Sequence, residues 1–359
     1  MENKDIIFII PNLYNKGGME RVTIRIANEF SNKEKYNITI ISIAHPKDTI
    51  YYKISDKVNI KNLSFKYFDI RKNFIKAAYE LKQMFQLDFD GIFVIDDVGH
   101  NIPAWLGLKH CKKAKFISWS HTNFFNGSKY GFSGIGKRLA VKKFDYIVAL
   151  TKEDKKYYKK ILNAKNIVQI YNPKDSEIVK QAYAYESKKI ISCGRLDKIK
   201  GFDLLIEVAR DVFKNVDGWQ WDIYGDGPEK DNLIRKIEEY GLTGKVNLKG
   251  YHTDILDLYK DYSFYVFTSR GEGCPMAMIE ALTAGLPMIS FDFKCGPKDL
   301  ITNGVNGYII KDWNITEMKD KVLELINNKE LRINFAKNSD INLKELELPY
   351  VLRQWGKIL

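Results

Sequence analysis

Ser269-Arg270-Gly271-Glu272-Gly273-Cys274-Pro275-Met276-Ala277-Met278-Ile279-Glu280-Ala281-Leu282, continuing as Thr283-Ala284-Gly285-Leu286-Pro287, joins a strand to a helix. The apolar run 263–268 just before it reads as a short strand, so the glycines fall in the connecting loop. Pro275 suits the first helical position, and Gly285 with Pro287 ends the helix a few turns later. The first amides of such a helix, around Met276, Ala277 and Met278, have no acceptor within it and can bind phosphate. Glu272 lies in the loop and Glu280 in the helix. This spacing is no single helical stripe. It places two carboxylates at different depths of a site, one suited to sugar hydroxyls and one to ribose hydroxyls. A merely solvated or ion-paired Glu280 is the plainer alternative.

Outward from this passage, short apolar runs alternate with amphipathic stretches. Strands are expected at 6–10, 38–43, 91–95, 115–119 and 146–150, then at 190–193, 220–224, 245–248, 263–268 and 288–291. That rhythm is the mark of parallel α/β sheets. A polar segment at 171–188, containing Asn172-Pro173, separates the two series and puts a domain boundary near Pro173. The length of 359 residues, more than one core readily serves, agrees with two domains.

Composition narrows the classes. Cys111, Cys193, Cys274 and Cys295 are far apart and form no C-x-x-C pair, against a disulfide framework or a zinc site. The apolar run 6–10, bounded by Pro11, is too short for a signal-peptide core, and no stretch approaches the roughly 20 apolar residues of a membrane span. A reducing cytoplasm is the expected location. The net charge of +12 implies an anionic partner without choosing among nucleic acid, lipid and phosphorylated substrates.

Two further motifs have chemistry in them. Gly17-Gly18-Met19-Glu20-Arg21 follows the run 6–10 and opens a helix extending to about Phe30. Its glycines let backbone N–H groups approach a phosphate, and a tight turn explains them equally. The spacing is not G-x-G-x-x-G, so a dinucleotide fingerprint is not supported. Gly194-Arg195-Leu196-Asp197-Lys198-Ile199-Lys200-Gly201-Phe202 leaves the run 190–193 and enters a helix at 203–213. Two cations at a strand's carboxyl end can hold a diphosphate and neutralise its charge as it leaves. In a chain with 57 Lys and Arg, solvated surface cations are the alternative.

With these motifs in this order, nearly the whole chain resembles the retaining glycosyltransferases of family 4. The resemblance rests on GGMER, GRLDKIKGFDLLI, YGDGPEKDNL, VNLKGY and the Glu-x7-Glu pair inside GEGCPMAMIEAL. That pair, with AGLPMISFDFKCGPKDLI, is typical of bacterial enzymes that build capsule, lipopolysaccharide and related surface glycans. It implies the α/β GT-B fold, two facing Rossmann-like domains with a cleft between them. The acceptor-side domain would comprise 1–172 plus 346–359, the last stretch a helix that crosses back, and the nucleotide-sugar domain 173–345. The implied reaction moves a hexose or N-acetylhexosamine from a nucleotide diphosphate sugar, UDP-linked before GDP-linked, to a glycan or lipid-linked acceptor. It needs no metal and no cofactor besides that co-substrate.

The resemblance also implies roles. Arg195 and Lys200 grip the diphosphate, Glu280 accepts the ribose hydroxyls, and Glu272 meets the sugar hydroxyls. Gly17 and Gly18 border the diphosphate from the other domain. Gly273, Cys274, Pro275, Met276, Ala277 and Met278 line the donor site, and Gly250 with Tyr251 contacts the nucleobase. Tyr224-Gly225-Asp226-Gly227-Pro228 shapes a nearby turn. His121, in Trp119-Ser120-His121-Thr122-Asn123, matches the family's histidine near the reacting centre and joins Arg195, Lys200 and Glu272 as a catalytic candidate. Asp96-Asp97 reads as a strand-end cap or turn rather than a metal motif. As the anomeric C–O bond breaks, negative charge grows on the diphosphate, and no glycosidase-type pair of acid and nucleophile is marked.

The stretches 129–143 and 61–82 mix cations with apolar residues as interfacial helices do, so contact with the inner face of an anionic membrane is a second expectation. An ordinary surface helix is nearly as good a reading. Two other classes compete: a nucleotide-sugar isomerase such as a 2-epimerase, and a nucleic-acid-binding protein using the positive charge. No recognised nucleic-acid module supports the latter, and no nucleic-acid partner is expected.

Overall fold

The computed structural model describes residues 3–47, 49–175, 183–252 and 255–359. The chain divides into two compact units, Met1–Asn172 with Val351–Leu359, and Pro173–Tyr350. Part of the expected separating segment, 176–182, lies outside the described residues.

The first unit is built on seven strands: β1 Lys4–Asn12, β2 Tyr36–Ala44, β3 Val58–Phe65, β4 Gly91–Asp96, β5 Lys115–Ser120, β6 Tyr146–Ala149 and β7 Ile167–Gln169. They lie in the order β3-β2-β1-β4-β5-β6-β7, every pair parallel. The second unit has β8 Lys189–Cys193, β9 Gln220–Tyr224, β10 Val246–Gly250, β11 Phe264–Phe267, β12 Met288–Phe291 and β13 Gly307–Ile310, in the parallel order β10-β9-β8-β11-β12-β13. Both sheets are Rossmann-like. In each the strand order reverses beside the first strand, at β1/β4 and at β8/β11, and at such a switch point loops diverge and leave room for a ligand.

The central strands bury side chains on both faces, which is why they read as unbroken apolar runs: every residue of β4, β11 and β12 is buried. Three strands were not expected. β3 is an edge strand, and of its eight residues only Val58, Leu63 and Phe65 are buried. β7 has three residues, too few for a period to show, and β13 is the four-residue Gly307–Ile310. The stretch 61–82, read as a helix, is instead the end of β3 and most of the helix Ile70–Met84. The stretch 129–143 becomes helical only at Phe132–Lys143.

The C-terminal helix spans Leu348–Trp355 rather than all of 346–359. Trp355 is fully buried in the first unit, its ring edge-on to Trp119 at 4.7 Å. Lys4 and Lys115 donate to the carbonyls of Leu359 and Ile358, both at 3.2 Å. Residues just upstream belong to the second unit, where Lys174 N–H donates to Leu346 O at 2.8 Å.

Candidate functional site

In the second unit the loops leaving β8, β9 and β10 are stitched together by backbone. Gly194 N–H donates to Tyr224 O at 2.9 Å, Leu196 N–H to Asp226 O at 2.9 Å, and Gly225 N–H to Gly250 O at 2.8 Å. This closeness requires glycine: a Cβ on Gly225 would overlap Gly194 O, and one on Gly227 would stand 2.5 Å from Leu196 O. The YGDGP turn therefore braces the Arg195 loop against Gly250, whose neighbour Tyr251 is largely exposed.

Across the switch point, the β8 loop meets the β11 loop. Lys200 Nζ donates to Glu272 Oε1 at 2.6 Å, and Ser269 Oγ donates to the same oxygen at 3.1 Å. Arg270 clamps the two loops: its backbone N–H donates to Ile199 O, its guanidinium to Lys198 O, and its two Nη groups to the Asp203 carboxylate, each at 2.7 Å. That fork geometry holds direction as well as distance. The sequence reading missed Arg270 and Asp203, because nothing local marks a cation whose partner lies in the first turn of a helix, Phe202–Val212, that follows a different strand. Arg195 is mostly exposed at its tip, with Nε and Nη2 on Asp197 Oδ2, both at 2.7 Å.

The helix at the end of the Glu272 loop spans Met276–Thr283. Pro275 is its N-cap, with extended backbone, and not the first helical residue as expected; among the described residues no side chain caps this end. The Met278 amide closes the first turn onto Pro275 O at 3.1 Å, so of the three amides singled out it is already engaged. Gly273, Cys274 and Ala277 follow along the same loop and first turn. Glu280 faces inward at 5% exposure and accepts a hydrogen bond from Tyr259 Oη at 3.4 Å. Burial, then the Glu280 charge, pushes the Cys193 thiol up, and burial first of all does the same to Cys274, so neither is a thiolate near neutrality.

Gly17, Gly18 and His121 belong to the first unit and have their own surroundings. Gly17 is the N-cap of the helix Gly18–Ser31, and the carboxylate of Glu20 folds back into the space a Cβ on Gly17 would fill. Glu20 is buried, and burial raises its carboxyl above the usual range, partly offset by hydrogen bonds from its own backbone N–H and from Asn15. His121 follows β5 with its ring 4.3 Å from that of Trp119. Asp97 does cap a turn, accepting from Gly99 N–H at 3.4 Å, whereas Asp96 is wholly buried. Sequence reading passed over Glu20 because an acid at the third position of a helix usually serves the helix end alone. Among the described residues, no group of three or more His, Cys, Asp or Glu is placed to hold a metal ion, and no helix is long and apolar enough to cross a membrane.

Chemically, the second unit offers a cation and a carboxylate in contact, beside an uncapped helix start. A diphosphate can draw Lys200 from Glu272 and hand that carboxylate to hydroxyl donors. Comparison with known proteins gives the following. Residues 173–341 match the family described as Glycosyl transferases group 1. An uncharacterized glycosyltransferase of Haemophilus influenzae is 30% identical over 362 residues, covering 99% of this chain and 100% of its own. The amylovoran biosynthesis glycosyltransferase AmsD of Erwinia amylovora is 28% identical, with 99% of each covered. A crystal structure of a TarM mutant from S. aureus, in complex with fondaparinux, α-GlcNAc-glycerol and UDP, superimposes with a TM-score of 0.85 at 21% identity, covering 99% of both chains. That likeness shows the fold, which is GT-B.

Proposed function

This chain belongs to the group 1 glycosyl transferases, and we propose that it moves a hexose or N-acetylhexosamine from a UDP-sugar to a glycan or lipid-linked acceptor in bacterial surface polysaccharide synthesis. The observation that carries this reading is the 2.6 Å contact of Lys200 with Glu272, which joins the two loops at the switch point of the second sheet. The relatives support the setting, one by its place in amylovoran synthesis, and the TarM complex supports UDP as the nucleotide.

In this reading transfer proceeds with retention and without a metal. The anomeric C–O bond to the diphosphate breaks, and the acceptor oxygen bonds to the anomeric carbon on the same face. The acceptor's proton passes to the departing phosphate oxygen. Arg195, Lys200 and the amides at Met276 and Ala277 stabilise the charge that develops there. Glu272 holds sugar hydroxyls, Glu280 the ribose, and Gly250 and Tyr251 the base, while Gly17 and Gly18 are read as donor-binding residues and His121 as a catalytic one. Such an enzyme works in the cytoplasm at the inner face of the membrane. Supporting membrane contact, the helix Ile70–Met84 exposes Ile75 at 69% and Tyr79 at 63% beside Arg71, Lys72 and Lys76.

The test is incubation with a panel of UDP- and GDP-sugars, with and without EDTA and with candidate acceptors, measuring nucleotide release and glycosylated product. EDTA-resistant transfer from one donor, lost in folded Arg195→Ala and Glu280→Ala variants, is expected. Donor conversion without acceptor product points to an isomerase and overturns the proposal, as does the absence of turnover across the panel.

A further inference from the structure

The first unit buries three titratable side chains from three elements at one place: Glu20 in the first turn of the helix Gly18–Ser31, Asp96 at the end of β4, and His121 just beyond β5. Asp96 is fully buried, and Thr23 Oγ1 donates to its Oδ2 at 2.5 Å, which anchors that oxygen. Among the described residues, its other oxygen, Oδ1, is buried without a hydrogen-bond partner. The same is true of Nε2 of His121, and these two unmatched atoms face each other across 3.8 Å with both side chains at 5% exposure or less.

An unmet buried donor or acceptor is costly, so an imidazole with a bare Nε2 lone pair turned toward a carboxylate oxygen is the unfavourable arrangement. With the proton on Nε2, a shift of about 1 Å makes a charge-assisted hydrogen bond and satisfies both atoms at once. The Trp119 ring, 4.3 Å from the imidazole, restricts the alternative of turning the ring away. Glu20 lies within electrostatic reach of both partners, and its burial raises its carboxyl above the usual range.

We propose that Asp96, anchored by Thr23, is a positioning residue that places the proton of His121 on Nε2 and so sets the tautomer and orientation with which the imidazole works. Its catalytic consequence rests on the reading of His121 as a residue of the glycosyl-transfer site. The tautomer itself is a property of the free protein, and the two are separable by experiment.

The chain is labelled with 15N-histidine, and two-bond 1H–15N correlation spectra are taken without substrate for the wild type, Asp96→Ala and Thr23→Val, with His121→Gln identifying the signals. The expected result is an Nε2–H imidazole at His121 in the wild type, a loss of that preference in Asp96→Ala, and a partial loss in Thr23→Val. In transfer assays, kcat of Asp96→Ala falls on the order of tenfold or more while KM for the donor changes less than about threefold. A His121 protonated on Nδ1 in the wild type, or a tautomer unchanged in Asp96→Ala, overturns the proposal. Should Asp96→Ala fail to fold, an unchanged spectrum in Thr23→Val overturns it instead. Tautomer control by Asp96 in a wild type that transfers no sugar upholds the positioning and defeats the glycosyl-transfer reading alone.

Discussion

Replacing Gly201 by alanine adds one carbon at a point where the β8 loop passes the end of β11. Gly201 holds φ at +67°, and a Cβ there would lie 3.0 Å from the Thr268 carbonyl carbon and closer still to its oxygen. Gly241, in the same unit, has φ at +63° with nothing within 4 Å of the corresponding position. Both substitutions incur the left-handed backbone penalty of about 1–2 kcal/mol for a residue with a Cβ. Only Gly201→Ala must also push two backbones apart, at about 1–3 kcal/mol for overpacking, and neither neighbour is a flexible side chain that could yield. The expected losses are therefore about 2–5 kcal/mol for Gly201→Ala and about 1–2 for Gly241→Ala, or on the order of 10 °C against a few degrees in Tm.

A functional difference follows from the neighbours. Lys200 precedes Gly201, and Ser269 to Glu272 follow Thr268, so separating the two backbones pulls Lys200 away from Glu272. Thermal or denaturant unfolding of both variants, with transfer rates measured per folded molecule, checks the reasoning. Equal destabilisation would refute the close approach at Thr268, and a fully active Gly201→Ala would refute the dependence of the site on the seating of that loop.

Three further outcomes are expected. The raised carboxyl of Glu20 contributes stability that is intact below the usual glutamate value near 4.5 and is lost as pH rises through its folded value, so the stability of the wild type relative to Glu20→Gln falls over that window; denaturant midpoints measured from acid to neutral pH check it, and a constant difference contradicts it. Trp355→Ala, which empties a fully buried site against Trp119, costs about 3–5 kcal/mol by denaturant unfolding, and Trp355→Phe costs clearly less because it keeps most of the packing and removes an unmatched buried N–H. The double variant Ile75→Ser, Tyr79→Ser weakens sedimentation with anionic vesicles at least severalfold while leaving unfolding nearly unchanged, since both side chains are mostly exposed; equal binding by the two proteins removes that helix from the membrane proposal.

Local pattern carried much of this molecule. Every strand expected from an apolar run is present within about two residues at each end, and the central ones, covered on both faces, are apolar along most of their length. The helix after Gly273 was legible from Pro275 and Gly285, although Pro275 proved to be the cap residue. The strands that escaped are the polar edge strand β3 and the short β7 and β13, where pairing with a neighbour, rather than composition, makes the strand.

What the sequence by itself determined is the α/β class, the positions of the glycine turns and helix starts, and which loops hold cations and carboxylates, all set by periods of two and 3.6 residues and by the stereochemistry of Gly and Pro. What only the tertiary structure decided is which of those groups meet: Lys200 with Glu272 and Thr23 with Asp96, separated by 72 and 73 residues, and Arg270 across two loops onto Asp203. The reason is that β8 lies beside β11 and β1 beside β4, and sheet order arises from packing whole strands and helices around a core, which no local period records.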